Sequence, residues 1–124
     1  MLNVLIVGLG GFFGAIARYL VGSLFFRFVP TAFPFGTLTI NFVGAILIGM
    51  ISEYSLKITP VQPLLYLFIT IGILGGFTTF STFSLETVNL FESGKIAAGL
   101  INVIASVMLC LLGVVIGKYM TKLF

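Results

Sequence analysis

Residues 72–84 read GILGGFTTFSTFS, and this run decides how the chain folds. It lies inside an apolar stretch that is longer than the ~20 residues needed to cross a bilayer. Glycine, serine and threonine are poor material for a continuous helix. The run therefore predicts a helix break near Gly75 to Thr79. Non-helical backbone at that depth is tolerated only if it is buried in protein or lines a cavity.

The whole chain is strongly apolar. Of its 124 residues, 60% are hydrophobic and only 7% are charged. A soluble domain of this size cannot bury so much apolar surface. The apolar runs predict spans at about 2–26, 35–52, 63–91 and 96–117, joined by short loops into one transmembrane domain, 1–124. We therefore predict an all-α membrane protein of four transmembrane helices with the third helix broken near its middle.

Charge and composition exclude several classes of function. The formal net charge is +3, but the six Lys and Arg form no basic run, so nucleic-acid binding is not expected. There is no histidine, which removes the commonest general base and most metal sites. The single cysteine, Cys110, permits no intrachain disulfide. Ser81 and Ser84 have no base partner in the sequence, so we expect no enzyme.

The cations bear on orientation in the membrane, which the Lys and Arg bias of the loops normally sets. Lys57, Lys118 and Lys122 fall on one side, and Arg27, Lys95 and the intramembrane Arg18 fall on or near the other. The bias therefore almost vanishes. Either the fold decides the orientation, or the protein inserts both ways, which would allow an antiparallel homodimer.

Stripes of small and polar residues mark the protein-facing sides of three helices. These stripes are Gly8, Gly11, Ala15, Arg18 and Gly22 on the first span; Thr37, Asn41 and Gly44 on the second; and Gly99, Asn102, Ser106, Cys110, Gly113 and Gly117 on the fourth. Packing and interhelical hydrogen bonds explain such stripes in lipid. A pore wall is the alternative, in which the amide of Asn41 donates to an anion. Arg18 either extends to the interface or faces protein, water or an anion.

Beyond the predicted break, Thr79, Thr82 and Glu86 form one stripe, and Phe80, Phe83 and Thr87 form the stripe beside it. The two phenylalanines are compatible with ordinary packing. A ring edge also carries partial positive charge, so two edges in a dry pore can contact an anion. Glu86 is the only acid inside a predicted span, and it is either a vestibule group or protonated.

Three motifs resemble those of the Fluc family of fluoride channels, also called CrcB proteins. They are GGFFGAIARY at 10–19, GTLTINFVG at 36–44 and GGFTTFSTFS at 75–84. The likeness extends over the whole chain, with the same length, four spans and motif order. It implies passive, fluoride-selective export through a multi-pass protein of the cell inner (plasma) membrane. It also implies a dual-topology, antiparallel homodimer with two fluoride pores and a structural sodium ion (Na⁺) at the dimer interface.

The resemblance also implies roles for particular residues. Asn41, Phe80 and Phe83 would contact fluoride, and Ser81 and Thr82 would belong to the polar lining. Carbonyls of Gly75 and Thr78, with their symmetry mates, would bind sodium. Further expected sites are Thr37, Asn102 and Ser106 in the pore wall, and Arg18 and Glu86 in the vestibule or the assembly. The fourth span departs from the family, which often has a track of Tyr and Ser where this chain has Asn102, Ser106 and Cys110.

Two other functions fit a small four-span protein. A proton-coupled drug exporter needs a mid-membrane carboxylate, commonly in the first span, where this chain has Arg18 instead. A structural membrane subunit would use its polar stripes only as contacts between helices.

Overall fold

The structure, a computed structural model, describes residues 1–57 and 62–123. Its helices are α1 (Leu2–Phe28), α2 (Phe35–Lys57), α3 (residues 63–77), α4 (Phe80–Glu92) and α5 (Ile96–Lys122). Four segments are long and apolar enough to cross a membrane, with α3 and α4 together forming the third. The predicted four-span, all-helical architecture is confirmed. The second connection, predicted from 53 to 62, is shorter because α2 continues to Lys57, and its residues 58–61 lie outside the described residues.

The third span is broken within the predicted window. Thr78 and Thr79 have extended backbones, with ψ angles of 158° and 120°, whereas Gly75 and Gly76 remain helical. The glycines therefore permit the break but do not form it. Before the break, Leu67–Leu74 winds as a wide π-helix, which the sequence pattern did not indicate.

The break allows the third span to change partners. Its first half, α3, packs along α1, whereas its second half, α4, packs against α5. The other main interface joins α2 to α5. An uninterrupted helix would stay on one neighbour, so the break decides which side chains of α4 meet the α5 face.

The contact between α1 and α3 uses part of the predicted stripe, because Gly11 faces Gly76, together with two glycines outside that stripe. Gly10 and Gly14 are the buried residues of α1, and a methyl group on Gly14 would overlap the Ile73 carbonyl. A methyl group on Gly8 or Gly22, by contrast, would meet nothing within 4 Å. Within one chain Gly8 therefore has no close neighbour, whereas the Gly22 Cα lies 3.9 Å from the place that a methyl group on Gly36 of α2 would take. Glycines occur on several faces of α1, and the position of α3 selects among them.

The predicted small and polar face of α5 is confirmed. Gly99, Asn102, Ser106, Gly113 and Gly117 are buried, while Cys110 is half-buried. The tight connection before α5 turns at Gly94, whose φ of +77° is in the left-handed region that glycine favours. The Lys95 N–H then donates to the Leu90 carbonyl at 2.9 Å.

Candidate functional site

Asn41, on the neighbouring helix α2, holds the break in place through its side chain. Its Nδ2 donates to the Thr79 carbonyl at 2.9 Å, and its Oδ1 accepts from the Thr79 N–H at 2.8 Å. This pair of bonds satisfies both polar groups of a peptide that has left the helix, which is required at membrane depth. An amide has two N–H donors, so one remains beyond the bond to Thr79.

The Thr79 side chain starts the second half of the span. Its Oγ1 accepts from the Thr82 N–H at 3.2 Å and donates to the Thr82 hydroxyl at 3.0 Å. The Ser81 hydroxyl lies 3.3 Å from the same oxygen. Thr79 is therefore the N-cap of α4, and it gathers the Ser81 and Thr82 hydroxyls at the break.

The break also releases carbonyl groups from the helical ladder. In a continuous helix the Thr79 N–H would bond the Gly75 carbonyl, but here it bonds Asn41. The Thr78 carbonyl likewise loses the Thr82 N–H to the Thr79 side chain. It accepts instead a long bond of 3.4 Å from Arg18 Nη1 on α1. Arg18 thus faces the break and does not extend to the interface.

A groove of about 370 Å³ runs along the break. Its lining includes Asn41, Phe80, Phe83, Ser106 and Cys110, together with Gly75, Thr78 and Thr79. The Phe80 and Phe83 ring centroids are 5.3 Å apart and the rings are tilted by 50°. Phe83 is buried, but 78% of Phe80 is exposed. One wall of the groove is therefore open in the single chain.

A chain of hydrogen bonds lies behind Phe83. Ser106 Oγ donates to Asn102 Oδ1 at 3.5 Å, and Asn102 Nδ2 donates to Thr87 Oγ1 at 2.9 Å. Thr87 Oγ1 in turn donates to the Phe83 carbonyl at 2.7 Å. Asn102 is only 1% exposed, so it bonds within the protein rather than lining a space.

Thr37 and Glu86 form a separate pair nearer the end of the bundle. The Thr37 hydroxyl donates to Glu86 Oε1 at 2.9 Å, while Oε2 is buried without a hydrogen-bond partner among the described residues. Both residues line a second cavity, of about 240 Å³, beside Phe25, Phe26 and Phe35. A buried carboxylate oxygen without a donor is costly.

The predicted site residues therefore fall into four groups. Those that line the groove are Asn41, Phe80, Phe83, Ser106, Gly75 and Thr78. Ser81 and Thr82 adjoin them through Thr79, and Arg18 contacts the break from α1. Thr37 and Glu86 share the second cavity, and Asn102 is buried behind the groove. Sequence reasoning did not single out Thr79 as the capping residue, although its place before the hydroxyl-rich run is a capping signal.

The groove suits a small anion. None of the described residues that line it is charged, so no carboxylate repels an anion there. The amide of Asn41 supplies a donor, and the ring edges of Phe80 and Phe83 supply partial positive charge. The first turn of α4 adds backbone N–H groups at the positive end of a helix dipole.

Comparison with known proteins is consistent with this geometry. Residues 5–118 match the family described as CrcB-like protein, Camphor Resistance (CrcB). The chain is 50% identical over 122 residues to the fluoride-specific ion channel FluC of Ruminiclostridium cellulolyticum, covering 98% of this chain and 94% of that protein. It is also 50% identical over 111 residues to FluC of Geobacter metallireducens, covering 90% of each chain. With FluC of Clostridium perfringens (strain ATCC 13124) the identity is 45% over 123 residues, covering 99% and 96%.

Proposed function

The chain belongs to the CrcB family, and from this membership and the geometry of the break we infer that it is a fluoride-specific ion channel. It is a multi-pass protein of the bacterial plasma membrane, and passive flow of fluoride out of the cell gives fluoride resistance. The observation that carries the mechanism is the break itself: Asn41 holds Thr79 beside Phe80 and Phe83 at membrane depth.

Fluoride is small and strongly hydrated, so it passes only where donors replace its water along a narrow path. In the proposed pathway the free N–H of Asn41 and the edges of Phe80 and Phe83 contact the ion. The hydroxyls of Ser81 and Thr82 continue the polar lining as donors, and Ser106 adjoins them in the groove wall with its proton directed to Asn102. Each contact is weak, and weak contacts let the ion leave as well as enter.

The open wall of the groove supports a second copy of the chain as its cover. Gly75, Phe80, Ser81 and Thr82 are all exposed in the single chain although they lie at the break. Irregular backbone in the hydrocarbon region has to be covered by protein. The almost balanced Lys and Arg favour insertion in both orientations. We therefore propose an antiparallel, dual-topology homodimer, whose two-fold symmetry gives two grooves and hence two pores.

The residues around the break fit a sodium ion at the dimer interface. Sodium is a hard cation that prefers oxygen ligands, and the Gly75 and Thr78 carbonyls have lost their helical donors. Gly75 is exposed, so a symmetry mate has access to its backbone. Arg18 already donates to one lone pair of the Thr78 carbonyl, but a carbonyl has a second. These carbonyls would hold the ion and tie the two breaks together.

Fluoride efflux from liposomes tests the proposal. The purified protein is reconstituted, and fluoride and chloride release are followed with ion-selective electrodes. We expect fast release of fluoride alone, independent of any proton gradient. Proton-driven export of a drug would indicate the small multidrug exporter, and absence of any flux would indicate a structural subunit.

Replacement of the aromatic rings tests the pathway. We expect Phe80→Ile and Phe83→Ile to form folded dimers with strongly reduced fluoride flux, because isoleucine has no electropositive ring edge. Phe28→Ile, at the exposed end of α1, is the matched control and should conduct normally. Unchanged flux in both pore variants would contradict a role for the ring edges.

A further inference from the structure

The two central residues of the buried hydrogen-bond chain behind Phe83, Thr87 and Asn102, do not line the groove. Thr87 is 5% exposed and Asn102 is 1% exposed. Neither is among the residues that line the groove. Both side chains nevertheless bond toward Phe83, whose ring does line it.

The directions of the three hydrogen bonds from Ser106 to Phe83 are consistent with one another. The single hydroxyl proton of Thr87 goes to the Phe83 carbonyl, so its oxygen is free to accept from Asn102. The Asn102 oxygen accepts from Ser106, which places the Asn102 NH₂ toward Thr87. The direction of the Thr87 hydroxyl is thus fixed from both ends, and the Phe83 backbone is tied to α5 as well as to α4.

A tie of this kind matters because α4 is short and begins at a break. Phe83 lies in the first turn of a 13-residue helix, where the ladder of backbone bonds is incomplete. We infer that Thr87 and Asn102 are positioning residues that hold Phe83 at the pore wall and do not themselves contact fluoride. This inference rests on the proposed channel function and assigns Asn102 a role different from the pore-wall role expected from its place on the polar face of the fourth span.

The Phe83 carbonyl is the direct probe of this tie. Only two phenylalanines precede a serine in the chain, Phe80 and Phe83. Labelling Phe carbonyl carbons with ¹³C and Ser nitrogens with ¹⁵N therefore selects two peptide bonds in solid-state NMR. The Phe80 carbonyl accepts from Ser84 Oγ at 2.9 Å, so it reports a comparable bond outside the buried chain. In Thr87→Val we expect the Phe83 carbonyl signal to move upfield while the Phe80 signal stays in place.

Fluoride efflux from liposomes supplies the functional readout. We expect Thr87→Val and Asn102→Ala to lower fluoride efflux per dimer by about fivefold, the rate equivalent of ~1 kcal/mol. Thr87→Ser keeps the hydroxyl and should restore both the carbonyl signal and the flux. Ser23→Ala is the control: it removes a similar bond, from the Ser23 hydroxyl to the Tyr19 carbonyl, on the exposed side of α1. This variant should conduct normally.

A double-mutant cycle separates positioning from general loss of structure. If Thr87 acts through Phe83, adding Thr87→Val to Phe83→Ile lowers flux no further. The inference is overturned if the two effects multiply, if Thr87→Val conducts like the wild type, or if the Phe83 signal does not move. Should Thr87→Val not fold, the same outcomes are read from Asn102→Ala. Absence of fluoride flux in the wild-type protein would instead refute the proposed function.

Discussion

Replacing Asn41 by leucine removes both side-chain bonds that hold the break. The bonds measure 2.9 Å and 2.8 Å and satisfy the carbonyl and the N–H of Thr79, which is 8% exposed. Leucine has the same number and branching of side-chain heavy atoms but no polar atom, so it leaves both backbone groups without partners in an apolar surrounding. A buried polar group left unpaired costs ~1–3 kcal/mol. Polar contacts between membrane helices average nearer ~0.6 kcal/mol, because the unfolded chain in lipid also finds partners.

Combining these values, we expect Asn41→Leu to lower the free energy of unfolding by about 2–4 kcal/mol. Asn41→Asp keeps an acceptor for the Thr79 N–H, but its second oxygen faces the Thr79 carbonyl, and a buried carboxylate is costly, so we expect it to lose at least as much stability as Asn41→Leu. The carboxylate would also repel fluoride in the groove, so we expect fluoride efflux below that of Asn41→Leu. Equilibrium unfolding in mixed detergent micelles, followed by circular dichroism, measures the first quantity and liposome efflux the second.

Asn89→Leu is the matched control, because Asn89 is an exposed amide on α4. Its effect on stability should stay within ~0.5 kcal/mol, as is usual for exposed positions. If Asn41→Leu were as stable as Asn89→Leu, the two bonds to Thr79 would not hold the break.

Two further predictions concern the packing around the site. In Gly14→Ala the new methyl group would overlap the Ile73 carbonyl and separate α1 from α3, so we expect a lower melting temperature, equivalent to a loss of ~1–3 kcal/mol. In Gly8→Ala the methyl group meets nothing within 4 Å, so this control should be nearly neutral. Equal effects of the two substitutions would contradict the observed helix contact. Thr37→Val removes the donor to Glu86 Oε1 and should lower the free energy of unfolding by ~1–3 kcal/mol. Adding Glu86→Leu should restore stability, because no buried carboxylate then remains. A double variant as unstable as Thr37→Val would show that Glu86 has another partner.

Much of the fold could be predicted from the sequence because hydropathy is a local property. The four spans follow from apolar length, and the break follows from glycine, serine and threonine at membrane depth. The position of the break within the predicted window depends on a distant residue. Gly75 and Gly76 have the weakest helix propensity, yet the chain leaves the helix at Thr78 and Thr79, where Asn41 is available to satisfy the freed peptide.

The α1 packing face could be predicted only in part, for a similar reason. Gly8, Gly10, Gly11 and Gly14 cover more than one side of α1, and local sequence does not tell which side meets a partner. The π-helix at Leu67–Leu74 adds to this difficulty, because it has more residues per turn than an α-helix. The spacing of three and four residues used to group side chains therefore does not apply to α3.

For Asn41 the sequence left two alternatives, an interhelical hydrogen bond and a pore donor, and they are compatible. One N–H of the amide bonds Thr79 while the side chain also lines the groove. In the proposed channel, holding the break and contacting the ion are linked, because the bond to the Thr79 carbonyl fixes where the second N–H of Asn41 points.

The partner change of the third span explains why these parts meet at one place. The break at Thr78 and Thr79 moves the chain from α1 toward α5, and the same step places the N-terminus of α4 at the break. The helix dipole adds partial positive charge beside Phe80 and Phe83, and none of the described residues that line the groove is charged. In the proposed channel, attraction for fluoride therefore comes from dipoles, which hold an anion less tightly than a lysine or arginine would. Weak holding is what conduction requires, since an ion bound by a full charge in a dry pore would be released too slowly.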